Sequence, residues 1–140
     1  MSRAKSPIII KKSKKIFAIA LLDNHKYKNL KFYKKNKIDF QLATMLRPKN
    51  EMIQKHEHFK EPKIVRSISK FMFIKSGKIL VEIFESIKSK KKIKSIILNS
   101  GDCILFFYGA MSFKILKKTK IIEIKQGPHK PLRDKIYEKN

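Results

Sequence analysis

Phe71-Met72-Phe73-Ile74-Lys75-Ser76-Gly77-Lys78-Ile79-Leu80-Val81-Glu82-Ile83-Phe84 carries the clearest strand signal in the chain. Its first four residues are apolar and lead to Ser76-Gly77, a pair that signals a turn. Beyond it, Ile79, Val81 and Ile83 alternate with Leu80, Glu82 and Phe84, the period of two that marks a strand with one more polar face. The reading is two short strands about a turn. The same punctuation recurs on both sides. Downstream, Lys94 to Leu98 runs into the turn residues Asn99-Ser100-Gly101-Asp102, and Cys103 to Tyr108, Ser112 to Leu116 and Lys120 to Lys125 follow as further strands. Upstream, Phe40, Leu42, Thr44 and Leu46 share one side of an extended segment, and Ile16 to Leu22 is a short apolar run ending at the turn Asp23-Asn24-His25. Eight or so short strands, with no helix-length period, argue for an all-β sandwich or small barrel. Only Pro131 to Tyr137 has room for a helical turn.

Composition bounds the rest. A chain of 140 residues is enough for one core, and no Pro/Gly/Ser-rich stretch or internal repeat divides it, so a single domain over 1–140 is expected. At 42% hydrophobic, with 4 Gly and 5 Pro, it can bury that core. The longest apolar run, Ile16 to Leu22, is far short of the roughly 20 residues a helical membrane span needs. No signal peptide is read at the basic N-terminus, and the single Cys103 excludes an internal disulfide; together they point to a cytoplasmic protein with no membrane partner. Within Cys103-Ile104-Leu105-Phe106-Phe107 the cysteine reads as a small buried hydrophobe.

The net charge of +24 raises the question of nucleic acid. Of 35 basic side chains only Arg3, Arg47, Arg66 and Arg133 are arginine, the type that bidentate phosphate and base contacts prefer. The lysines spread over the whole length alongside abundant isoleucine, which reads as compositional bias. The densest internal run, Lys88-Ser89-Lys90-Lys91-Lys92, reads as a solvated hairpin loop. Non-specific, salt-sensitive association with polyanions is the expectation. The competing reading is a non-enzymatic accessory module whose basic surface meets nucleic acid or an acidic partner.

His56-Glu57-His58 is the one arrangement with chemistry in it. It follows a turn at Arg47-Pro48-Lys49-Asn50, and two histidines one residue apart on an extended chain point to the same side, where they can share a divalent transition metal. The other histidines, His25 and His129, sit beside turn residues and read as solvated. No Gly-rich phosphate loop, zinc cysteine pair or Ser/His/Asp pattern occurs.

These segments, in this order, resemble the cupin superfamily, small antiparallel β-barrels of the jelly-roll type. The family's first motif is a Gly, five residues, His-x-His, then a Glu separated by six residues from a second Gly. His56 and His58 match the pair, Gly77 matches the second Gly, and Asn50 stands where the first belongs. Gly101-Asp102, an apolar strand and Gly109 resemble the second motif. Ile121-Ile122-Glu123-Ile124-Lys125-Gln126-Gly127-Pro128 resembles the closing strand and turn of small cupins associated with surface-polysaccharide assembly. The resemblance covers about 38–128. It implies a small-molecule-binding barrel, a homodimer, a link to carbohydrate metabolism and a metal at His56 and His58. The metal set is incomplete, however: Lys70 falls at the Glu position, and Ser112, or Met111 one residue earlier, at the third His. A protonated lysine cannot ligate a cation. Glu61 and Glu82 are the remaining oxygen donors considered for the set. No catalytic residue is assigned.

Overall fold

A computed structural model describes residues 3–33, 40–65, 67–127, 130 and 135–139. Among them there is no helix, and therefore none long and apolar enough to cross a membrane. Eight strands form: β1 (Ile8–Lys12), β2 (Lys15–Leu21), β3 (Leu30–Tyr33), β4 (Leu42–Met45), β5 (Lys70–Phe84), β6 (Lys92–Asn99), β7 (Cys103–Phe106) and β8 (Ala110–Lys125). All pairings are antiparallel. The described residues are all-β, as the alternating pattern implies. Most of the helical turn read over Pro131 to Tyr137 lies outside the described residues, as does His129.

The decisive stretch is one strand, and the turn read at Ser76-Gly77 is a correction. β5 is 15 residues long and pairs along its length with the 16-residue β8. On its other side β5 meets β7 with its first residues and β6 with its last. The register against β8 shifts repeatedly between Ile74 and Ile79, the mark of a bulged strand. Gly77 sits inside that irregularity with φ of 104°, and a Cβ there would run into Thr119 and the Lys118 carbonyl. The same correction holds for Ser112 to Leu116 and Lys120 to Lys125, which are two parts of β8. A glycine beside a polar residue signals either a turn or a bulge, and nothing local distinguishes them.

The bulge has a packing consequence. Before it Met72 and Ile74 are buried; after it Ile79, Val81 and Ile83 are. The inward set changes from even to odd positions, so one strand keeps its apolar side on one face throughout. With Ala18 and Ala20 of β2, Ile104 and Phe106 of β7, and Ile96 and Leu98 of β6, these residues make the main core. Ile10 of β1 joins the same cluster, so the two ends of the β1-β2-β7-β5-β6 path approach one another and the sheet curls into a half-barrel. Burying each such large side chain stabilises the fold by roughly 1.5–3 kcal/mol. A smaller core lies on the outer face, where the separate β3–β4 pair covers β2 and β7: Tyr33 packs with Ile19, Leu21, Leu105 and Phe107, flanked by Phe40, Leu42 and Phe71. Cys103 packs at its margin, half-buried as an apolar neighbour, and burial pushes its thiol up from the ordinary value.

Asp102 ties these layers together. Its carboxylate is fully buried and accepts N–H bonds from Asp23 (2.8 Å) and Asn99 (2.7 Å). It also accepts N–H bonds from the two terminal guanidinium nitrogens of Arg3, Nη1 at 3.0 Å. One side chain thus joins the N-terminal segment, the end of β2 and the β6–β7 turn. Asp102→Ala orphans all these donors and is expected to cost about 2–4 kcal/mol, at about 1–3 kcal/mol for each N–H left unsatisfied in the interior. Arg3→Ala is expected to cost distinctly less, because Asp102 keeps its two backbone donors. Urea unfolding of the two variants checks the order; an Asp102→Ala loss below about 0.5 kcal/mol, the surface-substitution range, would contradict it.

Candidate functional site

The turn read at Arg47-Pro48-Lys49-Asn50 forms, with the Glu51 N–H donating to the Pro48 carbonyl at 3.4 Å and Asn50 at φ 69°. From Glu51 to Val65 the chain runs exposed, without helix or strand. His56 and His58 lie on this run with ring centroids 5.6 Å apart, edge to face. The His56 Nδ1–H donates to the Gln54 carbonyl at 2.8 Å, which leaves Nε2 as the ring's ligand nitrogen. The two imidazoles are therefore neighbours, as the spacing implies.

The positions that would complete a metal set are elsewhere and otherwise engaged. Lys70 opens β5 opposite Phe106, on the inner face, with its side chain 14% exposed. Its Nζ bonds Glu123 of β8 at 2.8 Å, and that bond holds the Glu123 carboxyl below the usual carboxylate range while burial opposes it. Glu123 stands opposite Met72 and so shares the inner face. Met111 stands opposite Ile83 and packs against the main core, whereas Ser112 stands opposite Glu82 and faces outward. Glu82 is bonded to Lys92 at 2.8 Å. Glu61 pairs with Lys63, whose hydrogen bond lowers its carboxyl. Among the described residues no three His, Cys, Asp or Glu side chains gather where a metal ion would sit. The donor set that the cupin resemblance implies does not fit a resident metal in this arrangement.

What the inner face does offer is a partly exposed apolar row along β8. Phe113, Ile115 and Ile121 stand opposite Val81, Ile79 and Ile74, which are fully buried. The β8 members of those pairs nevertheless remain partly exposed, Ile115 at 54%. Phe113 meets Phe106 edge to face at 5.9 Å. The Lys70–Glu123 pair closes one end of this wall with a fixed cation and anion. Sequence alone marks Lys70 as anomalous but does not reveal Glu123 as its partner, because that depends on the β5–β8 register across the bulge.

His25 is a second correction. It is buried, not solvated. Its Nδ1 lies 2.7 Å from the Ser6 hydroxyl and its Nε2 2.7 Å from the Tyr33 hydroxyl, which reaches Thr44 at 3.4 Å. Ser6 also accepts the Leu22 N–H at 3.0 Å. This chain of hydroxyls pins β3 and β4 to the N-terminal segment. It ends on a threonine with no carboxylate to orient the ring, so it has the build of a structural network, not a catalytic triad. Its partners come from distant segments, and no local pattern in the sequence could have shown them.

Burial pushes the His25 imidazole below its ordinary value, the Ser6 bond opposes that, and the charge of Lys31 adds to the lowering. The unfolded chain then binds the proton more readily than the folded one. Stability from His25 is therefore complete above the unfolded value of about 6.5 and is lost as pH falls toward the lowered folded value. Urea midpoints at pH 7.5 and pH 5 should show this loss in the wild type and a smaller one in His25→Gln. An equal drop in both proteins would contradict the assignment.

Searches of family models, curated proteins and solved structures find no match to this chain.

Proposed function

We propose that this chain is a cupin-like jelly-roll barrel that binds a small molecule on the inner face of its curled sheet without a resident metal, linked to carbohydrate chemistry through the resemblance of its segments. The observation that carries the reading is the Lys70–Glu123 pair on the inner face. In the family pattern a carboxylate at the Lys70 position would ligate a metal. Here a cation occupies it and takes up the nearest carboxylate. A lysine there repels a metal ion, and its ammonium, shared with Glu123, keeps N–H donors for an acidic group. The apolar wall beside it, Phe113, Ile115 and Ile121, suits the carbon face of a ring. A ligand with one apolar face and one acidic group, such as an acidic sugar, matches both parts.

The reading assigns binding, not a reaction: among the described residues no nucleophile or paired acid and base stands along this row. Thermal unfolding in the presence of acidic and neutral sugars and sugar nucleotides tests it. At ligand concentrations about a hundred times the Kd, linkage supplies about 2.7 kcal/mol, enough to raise the midpoint by several degrees. The expected result is such a rise for an acidic carbohydrate in the wild type, retained in His56→Ala/His58→Ala and lost in Phe113→Asp. A screen with no shift, or a shift that vanishes with the two histidines, overturns the reading.

A further inference from the structure

We infer that this chain attaches to an anionic lipid surface through one end of the curled sheet, where two lysine-rich turns far apart in sequence meet. The inference does not rest on the ligand reading. It needs no membrane-spanning segment, because a peripheral contact is made by surface charge. The β1–β2 turn carries Lys11, Lys12, Lys14 and Lys15, and the β5–β6 loop carries Lys88, Lys90, Lys91 and Lys92. All of them are exposed. Lys12 bonds Glu85, the residue that follows β5, so the two turns are neighbours in space. The β7–β8 turn lies at the same end, with Gly109 close against the Phe84 carbonyl and the Phe17 ring. Lysines that read as spread along the chain are here gathered by the fold.

Local structure fixes these charges at the surface. Lys12 and Lys15 stand opposite one another across a two-residue turn in which Ser13 has φ of 55°. Like charges placed so destabilise a hairpin. Glu85 offsets the first, and the second lies over two rings, its Nζ 4.1 Å from the Tyr108 centroid and 5.6 Å from that of Phe17. In the β5–β6 loop the Ser89 N–H donates to the Ser86 carbonyl at 3.1 Å, and the Ser86 N–H to the Ser89 hydroxyl at 3.1 Å. Lys92 is bonded to Glu82 at 2.8 Å. Both carboxylates are thus engaged, and Lys11, Lys14, Lys88, Lys90 and Lys91 form no ion pair among the described residues.

The chemistry of this end selects the partner. Its cations are lysines without an arginine, compact point charges that suit a field of mobile headgroups more than bidentate reading of base edges. Single-stranded nucleic acid is held by successive bases stacked on open aromatic faces. Of the rings beside these turns, Phe17 and Phe107 are buried, Tyr108 lies beneath Lys15, and Phe84 is partly exposed, which makes no such platform. The other end of the sheet differs. There the turn at Asp23 meets the β6–β7 turn, and the nearest lysines, Lys75, Lys118 and Lys120, flank the β5–β8 bulge beside Asp23 and Asp102. That end supplies a comparison at equal change of charge.

Flotation of the full chain with vesicles at physiological salt tests the attachment, using phosphatidylcholine with about 30% phosphatidylserine or phosphatidylcholine alone. Lys90→Glu/Lys91→Glu and Lys11→Glu/Lys14→Glu each alter one turn, and Lys118→Glu/Lys120→Glu makes the same change at the bulge. These side chains are exposed, and circular dichroism verifies that the variants keep the fold. The wild type is expected to bind the serine vesicles alone. A lysine at an anionic surface is worth about fivefold in partitioning, so each turn variant should bind at least about 25-fold more weakly and the bulge variant at most about fivefold. A wild type that ignores serine vesicles, or equal losses in all three variants, overturns the inference. RNA and a DNA duplex run in parallel should lose affinity alike in the three variants. A loss selective for the turns on either nucleic acid makes nucleic acid the partner and overturns the inference as well.

Discussion

The fold depends on keeping a single 15-residue strand apolar on one face across a bulge. Side chains alternate with period two, so an uninterrupted β5 would turn Ile79, Val81 and Ile83 outward if Met72 and Ile74 faced in. The irregularity around Gly77 removes that conflict, and both halves of β5 then serve one core. Everything else is arranged around this strand: β8 along one side, β7 and β6 end to end on the other, and β2 and β1 carried round until Ile10 meets the β6 side chains. Gly109 plays a comparable part at the β7–β8 turn. Its φ is 86°, and a Cβ would strike the Phe84 carbonyl and the Phe17 ring.

The chemistry follows from which side chains this register brings to the inner face. Lys70 and Glu123 are far apart in sequence and become partners because both face inward, on strands that are neighbours. Their pairing takes up the charge that the cupin-like pattern would reserve for a metal. His56 and His58 remain beside one another but away from any third ligand among the described residues. One fixed ion pair beside an apolar row of β8 is what these placements bring to the inner face.

Much of the architecture was legible in the residues. Alternation in Ile79 to Phe84, the turn residues at Asn99 to Asp102 and at Arg47 to Asn50, and the solvated run Lys88 to Lys92 all have the local structure their chemistry implies. Two things were not legible, for different reasons. Ser76-Gly77 carries the same local signal whether the chain reverses or bulges, and only the β8 partner decides it. The burial of His25 and Asp102 depends on Ser6, Tyr33 and Arg3, contacts that exist only once the N-terminal segment has folded over the sheet. The N-terminal β2, a short apolar run to the eye, supplies a large share of both cores.

Elemental analysis decides whether the curled sheet works without a resident metal, as proposed. Untagged protein, loaded with excess zinc, manganese, iron or copper and then desalted, is compared with His56→Ala/His58→Ala treated alike. The expected result is substoichiometric metal in both. One equivalent of a transition metal in the wild type, lost in the variant, would contradict it and return the two histidines to the centre of the chemistry.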